Sequence, residues 1–110
     1  MKLPNHELAI IESSKLTNYL LNPNHKRGGT KAKLLLQCGY SQDNWQQLDA
    51  DIRAYHLTAE VDRIRETPYG VRYEIRASLQ TPIDRLLPVR TVWQIDTGTT
   101  LPRLITMIPD

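Results

Sequence analysis

Apolar positions recur along this chain at two different intervals, and the change from one to the other near Ala59 separates a helical part from a sheet part. Between Ser13 and Leu21, Leu16, Tyr19 and Leu20 fall at helical spacing. Ser13 or Ser14 supplies an N-cap, and Asn22-Pro23 ends the run, because a residue before proline avoids the α region and proline cannot continue the ladder. Lys31 to Cys38 repeats the pattern with Ala32, Leu35 and Leu36, and Gly39 offers a left-handed cap. Ser41 is placed to cap a third helix with an apolar stripe of Trp45, Leu48, Ile52 and Tyr55, which leaves Asp43, Gln46, Gln47, Asp49 and Arg53 to water. Leu8-Ala9-Ile10-Ile11 is too short for its spacing to choose between a strand and a lead-in to the first helix.

From Ala59 onward the period is two. Val71, Tyr73, Ile75, Ala77 and Leu79 alternate with Arg72, Glu74, Arg76, Ser78 and Gln80, the signature of a strand with one wet face. Pro68-Tyr69-Gly70 forms a turn before it, so Glu60 to Thr67 is expected to pair antiparallel as a hairpin partner. After the break at Thr81-Pro82-Ile83-Asp84, Val89, Thr91, Trp93 and Ile95 alternate with Arg90, Val92 and Gln94. Asp96-Thr97-Gly98 turns the chain again. Leu101 to Pro109 is apolar on both sides, as expected of a strand that is covered on both faces or lies centrally. The pattern predicts an α+β fold: about three N-terminal helices packed on one face of a four-stranded antiparallel meander. One domain is expected over 1–110, helical over 13–57 and sheet over 59–109.

Composition narrows the function classes. The apolar share of 40% and charged share of 24% over 110 residues are those of one soluble globular domain. Net charge is only +2, so any attraction for nucleic acid has to come from local clustering. The single cysteine, Cys38, rules out an internal disulfide and a cysteine metal cluster, and its leucine neighbours suit a small buried hydrophobe. No apolar run approaches the ~18 residues of a membrane span, and Met1-Lys2-Leu3-Pro4 is unlike a signal peptide, so no membrane role is expected and a cytoplasmic location is the default. Histidine pairs at ligand spacing and a P-loop are both missing, which disfavours a metal site and nucleotide hydrolysis.

Candidate chemistry concentrates in Asn22 to Lys33, where His25, Lys26, Arg27, Lys31 and Lys33 surround Gly28-Gly29. Paired glycines allow φ > 0 and a close ligand approach, and Thr30 as N-cap would open a helix whose free N–H groups suit a phosphate. An ordinary exposed helix connection has the same composition. Histidine titrates near neutrality, so His25 is suited to proton transfer. His6 falls in the N-terminal stretch, and His56 is expected to cap the last carbonyls of the third helix. If the odd-numbered strand positions face the helices, Arg72, Arg76, Arg90 and Thr106 gather on the opposite face. That is either a bidentate phosphate track, extended by His25, Lys31 and Lys33 at the sheet's edge, or a solvated face.

Several runs resemble a bacterial family of unknown function. They are Lys15 to His25, Gly28-Gly29-Thr30-Lys31-Ala32-Lys33, Gly39-Tyr40, Arg90-Thr91-Val92-Trp93 and Pro102 to Pro109. Members of that family look like the C-terminal domains of polymorphic and contact-dependent toxins, within the barnase–EndoU–colicin–RelE group of metal-independent ribonucleases. The resemblance implies an endoribonuclease without a cofactor, acting on tRNA or mRNA and not on DNA. It implies His25 as base or acid, Lys31 and Arg90 as phosphate ligands, and Thr91 and Thr106 as hydroxyl donors; Lys33, Arg72 and Arg76, from the alternation of the strands and the basic loop, are expected as further contacts to RNA. By alternation Thr91 shares a face with Trp93, which suits the core equally. The other reading is a non-catalytic RNA- or protein-binding module: a domesticated inactive toxin relative, or an antitoxin or immunity-like element with a protein partner.

Overall fold

A computed structural model describes residues 1–110. Strands β1 (Arg63–Thr67), β2 (Gly70–Gln80), β3 (Leu86–Asp96) and β4 (Arg103–Pro109) form one antiparallel sheet in the order β1-β2-β3-β4. The fold is α+β, with its helices in the N-terminal half. Tyr73, Ile75, Leu79, Val89, Trp93, Leu104 and Met107 pack from the sheet against Leu16, Leu20, Leu35, Leu48 and Ile52, forming one core.

The first helix is not the continuous α-helix that spacing predicts. One α-turn, α1 (Ser13–Lys15), passes into a π-helical segment (Leu16–Leu20), and the Leu21 N–H donates to the Leu16 carbonyl five residues back at 2.8 Å. Residues five apart on an α-helix lie about 140° apart around its axis, whereas a turn closed at i+5 brings them to one side. Leu16, Leu20 and Leu21 are all fully buried as a result, and Tyr19 is directed to the rim of the core. Neither Ser13 nor Ser14 caps this helix; Glu12 holds the N-cap position.

Helix α2 (Gly29–Gln37) begins two residues ahead of its predicted start, with Gly28 and not Thr30 at the N-cap. It ends as Gly39 predicts: Gly39 has φ +96°, its N–H donates to the Leu36 carbonyl, and the Tyr40 N–H donates to the Leu35 carbonyl. Helix α3 (Trp45–Tyr55) buries Leu48 and Ile52, and Ser41 Oγ accepts the Asn44 N–H one turn ahead of it at 3.1 Å.

The Leu8 to Ile11 segment resolves as a short 3-10 turn, His6–Leu8, followed by a single parallel bridge from Ile10 to Arg103. The Ile10 N–H donates to the Pro102 carbonyl at 2.8 Å, and the Leu104 N–H donates to the Ile10 carbonyl at 2.9 Å. Strand β4 is therefore the end strand of the sheet and not a central one. Its outer residues Ile105, Thr106 and Ile108 are half-buried, and the N-terminal segment borders its start.

Thr91 lies in the core. Its hydroxyl donates to His56 Nδ1 at 2.8 Å and accepts the Trp93 indole N–H at 2.8 Å, while His56 Nε2 donates to the Ala77 carbonyl at 3.0 Å. Burial pushes His56 below its usual pKa, and the ring sits neutral with both nitrogens satisfied. Thr91 is thereby removed from the candidate hydroxyl donors and from any contact to RNA, and the His56 side chain is a core hydrogen-bonding group and not a cap for carbonyls.

Candidate functional site

The loop before α2 is organised by His25. Its Nδ1 accepts the backbone N–H groups of Arg27 and Gly28, each at 3.1 Å, and its carbonyl accepts the Gly29 N–H at 3.0 Å. Amides expected to meet a phosphate are thus already satisfied. A neutral ring that accepts twice at Nδ1 carries its proton on Nε2. Neither Gly28 nor Gly29 takes a positive φ; what they provide is space. A Cβ on Gly28 would stand 2.5 Å from Tyr19 Cε1, and one on Gly29 would stand 2.6 Å from the Pro23 carbonyl oxygen. The close approach is therefore to Tyr19, whose ring meets the His25 ring edge-on at 4.8 Å between centroids.

Tyr19 is the functional candidate that sequence reasoning missed, because its spacing marks it as part of an apolar stripe. In a chain with five tyrosines and no phenylalanine, the presence of a hydroxyl carries little signal. Lys31 Nζ donates to the Tyr19 hydroxyl at 2.7 Å and to Thr106 Oγ1 at 3.2 Å, and the two hydroxyls lie 3.1 Å apart. Lys31 and Lys15 also hold their ammonium groups 4.9 and 5.8 Å from the centre of the Tyr19 ring. Burial raises the phenol's pKa, but the hydrogen bonds from Lys31 and Thr106 and the charges of Lys31 and Lys15 outweigh it, so Tyr19 lies below its ordinary value. The ring opens on a cleft of about 520 Å³ lined by Glu12, Ser14, Lys15, Asn18, Tyr19, His25 and Arg27.

Thr106 also lines a second cleft, of about 320 Å³, on the outer face of the sheet with Arg63, Arg65, Arg72, Glu74 and Arg90. Register sets Arg65 directly opposite Arg72 and Arg76 directly opposite Arg90, like-charge neighbours that a strand face does not favour. Glu74 lies 3.2 Å from Arg90 and 3.9 Å from Arg63, Arg72 donates to Gln94 Oε1, and Arg65 has no carboxylate within ion-pair distance. The Arg90 Nε is buried without an acceptor. Beside the cleft, Arg103 pairs with Asp96 at 2.7 Å, and hydrogen bonds from Arg103 and Gln94 lower that carboxyl to about 2.

Of the predicted residues, His25, Lys31, Thr106, Arg72 and Arg90 fall in one continuous region joined through Tyr19 and Thr106. Arg76 lies beside it, paired with Asp110 at 3.7 Å in a depression shared with Asp62, Arg63, Glu74 and Arg90. Lys33 is exposed about 200° around α2 from Lys31 and does not join the cluster. No three His, Cys, Asp or Glu side chains are gathered as metal ligands, and no helix is long and apolar enough to cross a membrane.

A small α+β domain with a cationic, hydroxyl-bearing cleft at the edge of a meander sheet is the class that this architecture defines. The chain belongs to the domain of unknown function family DUF6883, whose model matches residues 2–110. No curated protein matches it. Among solved structures it is similar to a chain of the contact-dependent growth inhibition toxin–immunity protein complex from Klebsiella pneumoniae 342. The TM-score is 0.66 at 12% identity, over 93% of this chain and 100% of that one, a likeness of fold.

Proposed function

We propose that this chain is a toxin-type endoribonuclease that works without a metal ion and binds its substrate's phosphates with Lys31, Arg72 and Arg90. The observation that carries this reading is the double placement of Thr106, bonded by Lys31 and lying 3.1 Å from the Tyr19 hydroxyl while lining the arginine cleft. A phosphodiester set there meets cations from both sides, and planar guanidinium groups match its oxygens in pairs. The opposed pair Arg65 and Arg72, which lacks a carboxylate partner, would be relieved by an anion. Cations fixed before the reaction lower the barrier by stabilising the charge that builds on phosphorus oxygens. His25 contributes an N–H donor from Nε2, and the ribose 2′-oxygen is the attacking group.

The test is incubation of the purified protein with total tRNA in EDTA. Cleavage that falls at least a hundredfold in Lys31→Ala and Arg90→Ala is expected; intact RNA with the wild type, or equal cutting by both variants, overturns the reading.

A second reading is that of a partner-binding module in a toxin–immunity pair, suggested by the complex that holds the structural neighbour. It predicts RNA left whole and a protein that co-purifies with the chain.

A further inference from the structure

We propose that the Tyr19 phenolic oxygen, and not His25, accepts the proton of the attacking ribose hydroxyl, with Lys31 as the group that returns the proton to the departing oxygen. This rests on the ribonuclease reading above. His25 is the conventional choice for a base, but its Nδ1 already accepts two backbone N–H groups, and its Nε2 carries the ring proton. Protonating Nδ1 would set a third N–H against the amides of Arg27 and Gly28 and dismantle the turn that starts α2. The imidazole is built to donate.

Tyr19 is built to accept. Its oxygen takes a hydrogen bond from the Lys31 ammonium at 2.7 Å and lies 3.1 Å from the Thr106 hydroxyl, and its ring faces the open cleft. The charged and titratable groups around it are Lys15, Lys31, His25 and Arg27, with Glu12 the one carboxylate in the cleft lining. Lys15, Lys31 and Arg27 bring positive charge, which favours a phenolate over a phenol. The same surroundings agree with the downward shift of the Tyr19 phenol.

The step balances. The phenolate takes the 2′-hydroxyl proton while the 2′-oxygen bonds to phosphorus and the bond from phosphorus to the 5′-oxygen breaks. Lys31 gives a proton to that departing oxygen, leaving a 2′,3′-cyclic phosphate and a 5′-hydroxyl. The proton now on Tyr19 crosses the 2.7 Å hydrogen bond to Lys31 and restores the starting pair.

The test is Tyr19→Phe, which keeps the ring against Gly28 and His25 and removes only the oxygen. Cleavage of tRNA should fall at least a hundredfold, while affinity for 2′-O-methyl RNA of the same sequence stays within twofold. The wild-type rate should climb about tenfold per pH unit to a plateau below pH 10. In Lys31→Met that climb should move to higher pH. Should Tyr19→Phe melt below the assay temperature, ultraviolet titration of the wild type decides: one of the five tyrosines ionises below pH 10 and returns to its ordinary range in Lys31→Met. A Tyr19→Phe protein that cuts within threefold of the wild type, or a titration with no early phenol, overturns this proposal alone. A wild type that cuts no RNA overturns it together with the ribonuclease reading.

Discussion

Gly28 and His56 have roles that spacing could not distinguish from the ordinary uses of a loop glycine and a helix-end histidine. Gly28 has φ −109°, which any residue adopts, so its requirement is the 2.5 Å that a Cβ would leave to the Tyr19 ring. Gly28→Ala should therefore cost about 1–3 kcal/mol through overpacking and displace the phenol from Lys31, with thermal melts and tRNA cleavage both falling. His56 makes a pH prediction whose sign is set by burial. Its folded pKa lies below the ordinary 6.5, so between the two values the unfolded chain holds a proton that the folded one does not. Its contribution to stability is complete above pH 6.5 and declines as pH falls through the folded value. Urea midpoints at pH 7.5 and pH 5.5 should show that decline in the wild type and a smaller one in His56→Gln.

Elements whose apolar positions repeat cleanly formed where periodicity places them: β2 and β3 with their outward arginines, and α3 with Leu48 and Ile52 inward. The departures have a common origin in packing against distant parts of the chain. The π-helical segment brings Leu21 into the core beside Leu16, a gain that exists only once the sheet is there to receive it. Strand β4, apolar on both sides, keeps its outer residues Ile105 and Ile108 half-buried in the lining of the arginine cleft, and its start pairs with Ile10 at the other end of the chain. Ile10→Pro removes the N–H that the Pro102 carbonyl accepts. The Leu104 amide, which donates to the Ile10 carbonyl, should then exchange with solvent about tenfold faster, as a hydrogen-exchange measurement would read.

Taken whole, the molecule has a net charge of only +2 and yet concentrates its cations on one outer sheet face and one adjoining loop. Much of that charge is already compensated: Glu74, Asp96 and Asp110 pair with arginines, which leaves Arg65 and Arg72 as the guanidinium groups of the sheet face without a carboxylate partner. RNA affinity should accordingly show a modest salt dependence. Deleting one cation that meets a phosphate should reduce the slope of log affinity against log salt by about 0.7, so Arg72→Ala is expected to flatten it by about that amount and Lys33→Ala to leave it unchanged. Fluorescence anisotropy on labelled RNA between low and physiological salt measures this directly.

Local order and fold class were legible in the chain because they depend on near-neighbour spacing: the change from helical to alternating period, the turn at Pro68 to Gly70, the cap at Gly39, the outward arginines. So were His25, Lys31, Arg72, Arg90 and Thr106 as candidates, since a histidine and lysines around paired glycines and arginines at alternate strand positions are visible as local pattern. Partnership was decided only by the folded molecule. Tyr19 and Lys31 are 12 residues apart and Thr106 a further 75, and nothing local in their surroundings states that their oxygens and nitrogen meet within 3.2 Å. Whether a threonine faces the open side of the sheet or a buried histidine, as Thr106 and Thr91 illustrate, depends on which side of the sheet the helices cover, and that is a property of packing across the whole chain.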